Sequence, residues 1–89
     1  MKEIRITSRF KKDVKRIQHM PEKVDRLDKV VKQLRQSGTL PPEYRPHRLT
    51  GNYRGCMECH VESDSLLIWI DETESIIKLL RYGSHAELF

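Results

Sequence analysis

The sequence predicts one α+β domain over residues 1–89, a helical hairpin packed on an antiparallel sheet in the order β-α-α-β-β-β. Three observations predict it. Residues 8–17 and 21–37 repeat apolar side chains at helical spacing. Residues 54–61, 65–70 and 76–82 are short apolar or alternating runs separated by polar turns. A chain of 89 residues has room for a single core.

Each element has its own signal. Ile4 and Ile6 alternate with charged residues between Lys2 and Thr7, as in a half-buried strand. Ser8 is the expected N-cap of the first helix, whose apolar face is Phe10, Val14 and Ile17. Pro21 suits the first turn of the second helix, and Glu22 complements its dipole. That helix carries Val24, Leu27, Val31 and Leu34 on one stripe, with Val30 beside it, and Gly38 stops it. Pro41, Pro42 and Pro46 make residues 39–48 an extended loop that ends near His47, and Gly51-Asn52 marks a turn. SLLIWI, residues 65–70, reads as the central strand, DETES as a turn, and Ile76–Tyr82 as the last strand, ended by Gly83.

Charge is unevenly spread. Residues 1–48 hold 14 Lys/Arg against 6 Asp/Glu, whereas residues 49–89 hold 3 against 7. A basic half beside an acidic half fits a polyanionic partner, although basic residues on solvated helices look the same. No apolar leader or run of about 20 apolar residues is present, so no membrane role and a cytoplasmic location are expected, with Cys56 and Cys59 reduced.

Polar chemistry concentrates in HRLTGNYRGCMECHVESD, residues 47–64, and in RYGSHAELF, residues 81–89. Counting from turns centred near Glu62-Ser63 and Thr73 puts both His60 and Arg81 opposite Ser65. His60, Asp64 and Arg81 would then share one end of the sheet, with His85 bending back toward them after Gly83. Alternation puts Glu58 and His60 on one face and Cys59 on the other. Imidazoles can give and take protons near neutral pH, and a guanidinium can hold a phosphate. Such a set suits RNA cleavage without a cofactor. His47, His60, Asp64 and His85 also offer the donors of a zinc or iron site, but no H-x-H or H-x-x-x-H pair anchors one. CMECH matches a haem-attachment pattern literally, yet it lies in a strand and no export leader precedes it.

Three elements occur in order: H-x-L-x-G in the loop, H-V-x-x-D in a strand, and R-x-G-S-H-x-x-L-F at the end. With them the chain resembles the YafQ branch of the RelE/ParE toxin superfamily over nearly its full length. The resemblance implies a RelE-like microbial ribonuclease fold and a metal-independent endonuclease that cuts mRNA in the ribosomal A site. It also implies restraint by a cognate acidic antitoxin. It places functional groups on His47, His60, Asp64, Arg81, His85 and Phe89, and sets Glu58 where some members carry aspartate. The implied roles make His85 the acid, His60 the base, Arg81 the phosphorane clamp, His47 a phosphate-orienting group and Phe89 a stacking surface, with the order of acid and base open. Lys11, Lys12, Lys15, Arg16, Lys23 and Arg26 become candidates for docking on ribosomal RNA. A ParE-like gyrase inhibitor of the same fold and a non-enzymatic RNA- or ribosome-binding protein are the alternatives.

Overall fold

A computed structural model describes residues 1–89. The chain runs β1 (Glu3–Ile6), α1 (Ser8–Lys15), α2 (Pro21–Ser37), β2 (His47–Arg48), β3 (Met57–Glu62), β4 (Ser65–Thr73), β5 (Ile76–Gly83) and α3 (His85–Leu88). Short 3-10 turns occupy Pro42–Tyr44 and Gly51–Tyr53. The expected order holds, with a two-residue strand and a four-residue helix added. The sheet order is β1-β5-β4-β3-β2. Neighbouring strands run antiparallel except that β1 joins β5 in parallel.

The helices form where their caps and apolar spacing allow. Thr7, not Ser8, is the N-cap of α1, its hydroxyl accepting from the Phe10 N–H at 3.1 Å. Gly38 ends α2 at φ 76°, the left-handed conformation that glycine adopts without a Cβ clash. Phe10 and Ile17 of the α1 face are buried, and on α2 the deepest residues are Val30 and Leu34. Val31 is only partly buried, so the stripe turns slightly from the expected one. These side chains cover one face of the sheet, packing on Cys59, Val61, Leu67, Trp69, Ile77, Leu79 and Tyr82. The opposite face carries a smaller cluster of Cys56, Leu66, Ile68 and Leu88. Cys56 and Cys59 thus sit on opposite faces as free thiols. Burial pushes the Cys59 thiol up to about 12, which leaves it protonated and unreactive.

Strand register departs from simple counting. The first hairpin turns at Ser63-Asp64, with Glu62 opposite Ser65 and His60 opposite Leu66. Val61 is the extra residue there. The second hairpin turns at Glu74-Ser75, with Thr73 opposite Ile76. Extra residues at Glu72 on β4 and Leu80 on β5 offset each other, which leaves Arg81 opposite Ile68 and Gly83 opposite Leu66. Neither His60 nor Arg81 lies opposite Ser65. Both turns lie one to two residues later than the count assumed, and the single extra residues do not cancel that displacement.

Two ionic contacts lock the helices to the sheet. β1 covers the edge of β5 only as far as Leu79. Beyond it Asp13, 4% exposed, takes the place of a strand. Its carboxylate accepts from Arg81 Nε at 2.8 Å, Arg81 Nη2 at 3.2 Å and the Tyr82 N–H at 2.9 Å. On α2, Lys23 and Arg26 both pair with Glu62, to which Ser65 Oγ also donates. Burial, the largest single influence, pushes the Glu62 carboxyl up. The bonds from Lys23, Arg26 and Ser65 together outweigh it and hold the group below its ordinary value.

Asp13→Ala strands a mostly buried guanidinium and a backbone N–H, so urea denaturation is expected to show a loss of about 3–5 kcal/mol. A loss below about 1 kcal/mol contradicts the lock, because even one orphaned buried group costs that much. For Glu62 the folded carboxyl titrates below the unfolded one. Its contribution is complete above the ordinary carboxylate range and disappears as pH falls through the lowered folded value. The urea midpoint of the wild type is therefore expected to fall on acidification through that window, and that of Glu62→Gln to fall less. Equal acid sensitivity of the two proteins contradicts the assignment.

Candidate functional site

The face of the sheet away from α1 and α2 carries most of the candidate groups. Glu58 pairs with Ile68 and His60 with Leu66. Directly paired residues point the same way, so Glu58 and His60 share the face of the smaller apolar cluster. Leu88 of α3 packs into that cluster and folds the tail onto the same face. Alternation along β3 therefore does what the sequence suggested, with Cys59 and Val61 turned toward the helices.

One half of the site is built on β2 and β3. His47 stands opposite Glu58 in the strand pair. Its Nε2 lies 3.0 Å from Glu58 Oε1, and its Nδ1 lies 2.8 Å from the Arg45 carbonyl. A carbonyl only accepts, so Nδ1 carries hydrogen. Glu58 is 5% exposed, and its Oε2 has no hydrogen-bond partner. The His60 ring centre is 6.4 Å from that of His47. His60 itself is half-buried and makes no side-chain hydrogen bond.

The other half is built on the end of β5 and the tail. Ser84 caps α3 with a capping box, its hydroxyl accepting from the Glu87 N–H while Glu87 accepts from the Ser84 N–H. That box starts the helix at His85, whose ring is exposed and lies 5.1 Å from the Phe89 ring. Phe89 in turn meets Tyr53 edge-on at 5.6 Å. The Arg81 guanidinium is held charged first by its hydrogen bond to Asp13, with Tyr53 also acting on it. Asp13 uses Nε and one Nη2 hydrogen, so the Nη1 edge of Arg81 makes no hydrogen bond to Asp13.

β4 joins the halves. His60 and Gly83 flank Leu66 on its two sides. With strands about 4.8 Å apart, their backbones are roughly 10 Å apart, and His85 follows Gly83 by two residues. The mid-chain stretch and the tail do meet, but through Tyr53 and Phe89, a contact the sequence analysis missed. Tyr53 carried no signal beyond being aromatic in a turn. Asp13 was also missed, although its spacing from Phe10 and Ile17 places it on the buried face of α1.

Some expected neighbours stand apart. Asp64 is exposed in the β3–β4 turn and lines a separate cleft with Met20, Lys23 and Tyr82. It makes no hydrogen bond to His60. Arg81 is bound to Asp13 and pairs with Ile68, three residues from the expected position, which sets it across that residue from Glu58 rather than level with His60. No three His, Cys, Asp or Glu side chains come together in a geometry that could hold a metal ion. Of the basic candidates, Lys23 and Arg26 are bound to Glu62, and Arg16 pairs with Glu87 at 3.2 Å. Lys11, Lys12 and Lys15 are exposed on α1 without acidic partners.

Comparison with known proteins matches this geometry to one family. Residues 2–89 match the family model described as the bacterial toxin of type II toxin–antitoxin system, YafQ. The mRNA interferase toxin YafQ of Escherichia coli K12 is 32% identical over 89 residues, covering 99% of this chain and 96% of that protein. The crystal structure of the E. coli DinJ–YafQ complex superposes with a TM-score of 0.86 at 31% identity, covering 100% of this chain and 99% of that one. A metal-bound toxin from Helicobacter pylori superposes at 0.87 with 34% identity and full coverage of both chains. Sequence and fold together establish that the chain belongs to the YafQ family of bacterial type II toxins.

Proposed function

We propose that this chain is an mRNA interferase that cuts message in the ribosomal A site and is restrained in the cytoplasm by a cognate antitoxin. The observation that carries the reading is the placement of His60 and His85. Both imidazoles lack hydrogen-bond partners, and the backbones of His60 and of Gly83, two residues before His85, flank Leu66 of β4 on the face that α3 covers. One removes the 2′-OH proton, the oxygen attacks the adjacent phosphorus, and the other protonates the departing 5′-oxygen. We assign the base to His60 and the acid to His85, which stands at the exposed start of α3.

The remaining groups fit around this pair. His47 is held between the Arg45 carbonyl and Glu58, and we assign it to orient the phosphate by exchanging its Nε2 contact with Glu58 for a phosphate oxygen. Glu58 fills the positioning role, and Asp64 falls outside the reacting set. Arg81 keeps its Asp13 contacts through Nε and Nη2, and we assign its Nη1 edge to the developing charge. Phe89, exposed and backed by Tyr53, offers a stacking face for an unpaired base. Lys11, Lys12 and Lys15 form the cationic surface for ribosomal RNA, and the same surface attracts an acidic antitoxin segment.

Primer extension on a ribosome-bound message tests this reading. His60→Ala and His85→Ala are each expected to slow cleavage by about 10²–10⁴-fold. Toxin stripped with a chelator beforehand is expected to cut as fast as untreated toxin, and ribosome binding to weaken steeply as salt rises. Undiminished cleavage by both variants overturns the site. Loss of cutting on chelation alone replaces imidazole chemistry with a metal-dependent reaction, and salt-independent binding removes the lysine dock.

A further inference from the structure

We infer that a cleft beside His60 is a nucleobase pocket in which Glu43 and Arg45 select the base next to the cut. The inference rests on the nuclease reading above and adds to it the groups that set specificity. Its starting point is an incomplete sheet edge. β2 covers only Met57 and Glu58 of β3. On that same side of β3 no strand continues past Glu58, and the 3-10 turn Pro42–Tyr44 stands beside residues 59–62 instead. Between turn and edge is a cleft of about 390 Å³ lined by Glu43, Tyr44, Arg45, His60 and Glu62. That volume lies in the range of small-ligand sites.

The charged groups of the cleft are not equivalent. Glu62 is consumed by Lys23, Arg26 and Ser65. Glu43 and Arg45 form no ion pair and no side-chain hydrogen bond, and both are exposed. Tyr44 is half-buried, with its hydroxyl 3.4 Å from Gln33 Nε2, so its ring is a fixed wall. The cleft thus offers an acceptor, a fork of donors and an aromatic side.

Arg45 supplies a second, independent observation. Its φ of 49° and ψ of 51° make it the one non-glycine residue of the chain with positive φ. Glycine suits that conformation better than arginine does. The left-handed turn directs the Arg45 carbonyl to His47 Nδ1, while the side chain of the same residue lines the cleft. A single strained residue therefore couples the orientation of a site histidine to the wall of the adjacent pocket. The carbonyl contact needs only backbone, so it does not explain the guanidinium.

The chemistry names the ligand class. A carboxylate accepts from an exocyclic amine, and a guanidinium donates to the ring nitrogen or carbonyl beside it. Adenine, cytosine and guanine present such an amine, and uracil does not. The pocket therefore prefers an amino-bearing base over uracil in a nucleotide flanking the scissile phosphate.

The test uses the full chain on ribosome-bound messages that differ only in the nucleotides flanking the cut, with thermal melting to check folding. Wild type is expected to favour amino-bearing bases over uracil. Glu43→Ala is expected to reduce that preference by about tenfold, the loss of one charge-assisted hydrogen bond. Arg45→Gly keeps the carbonyl and relaxes the backbone, so it folds, and it too is expected to redistribute the cut sites. If wild type cuts but both variants keep its distribution of sites, the pocket is refuted and the nuclease reading stands. If wild type cuts no RNA, the nuclease reading fails and the pocket fails with it.

Discussion

A single carboxylate governs where the tail of this protein goes. Asp13 stands at the edge of β5 where β1 has ended, and it satisfies a backbone N–H that would otherwise be orphaned inside the fold. The same oxygens hold Arg81 in a fixed plane. α1 is thereby tied to the last residues of the sheet, and Gly83, Ser84 and His85 follow from a defined point. A buried acid bound by two partners stabilises little in net terms against an apolar substitute, but it specifies geometry, and removing one partner is costly. Here the geometry specified is the approach of the tail to the face bearing His60.

The site divides into a rigid half and an open half. His47 and Glu58 are cross-strand partners on paired backbone, with Glu58 inside the protein and both His47 nitrogens engaged. His85 and Phe89 stand on a four-residue helix held by one capping box and one buried leucine. Short terminal elements with few buried contacts open at low cost. On the proposed nuclease reading, the first half would orient the phosphate and the second would meet it from the tail. His60, half-buried and uncommitted, lies between the two.

Much of this was legible in the sequence, and the rest was hidden for identifiable reasons. SLLIWI could only be a central strand, and Pro21 and Gly38 bracket α2 by their backbone chemistry. Alternation along MECHVE put Glu58 with His60. Register failed because the turns fall at Ser63-Asp64 and Glu74-Ser75, one to two residues later than the counted centres, and the extra residues at Val61, Glu72 and Leu80 do not make up the difference. β2 escaped notice because two residues have no period. Asp13 was passed over because an acid among lysines resembles a solvated helix face, although its spacing from Phe10 and Ile17 marked it as inward. Asp64 was grouped with His60 by the register count and by the resemblance, yet it stands exposed in a two-residue turn and lines the cleft of Lys23 and Tyr82.

The claim beneath all of this is that two imidazoles serve one phosphodiester by way of the neighbouring ribose hydroxyl. The most direct measurement replaces the single nucleotide 5′ of the cut by its 2′-deoxy analogue in a ribosome-bound message and examines the ends of the products. The account predicts no cleavage of the substituted message and a 2′,3′-cyclic phosphate or its 3′-phosphate on the natural one. Cleavage of the 2′-deoxy message, or products ending in a 3′-hydroxyl, would contradict it.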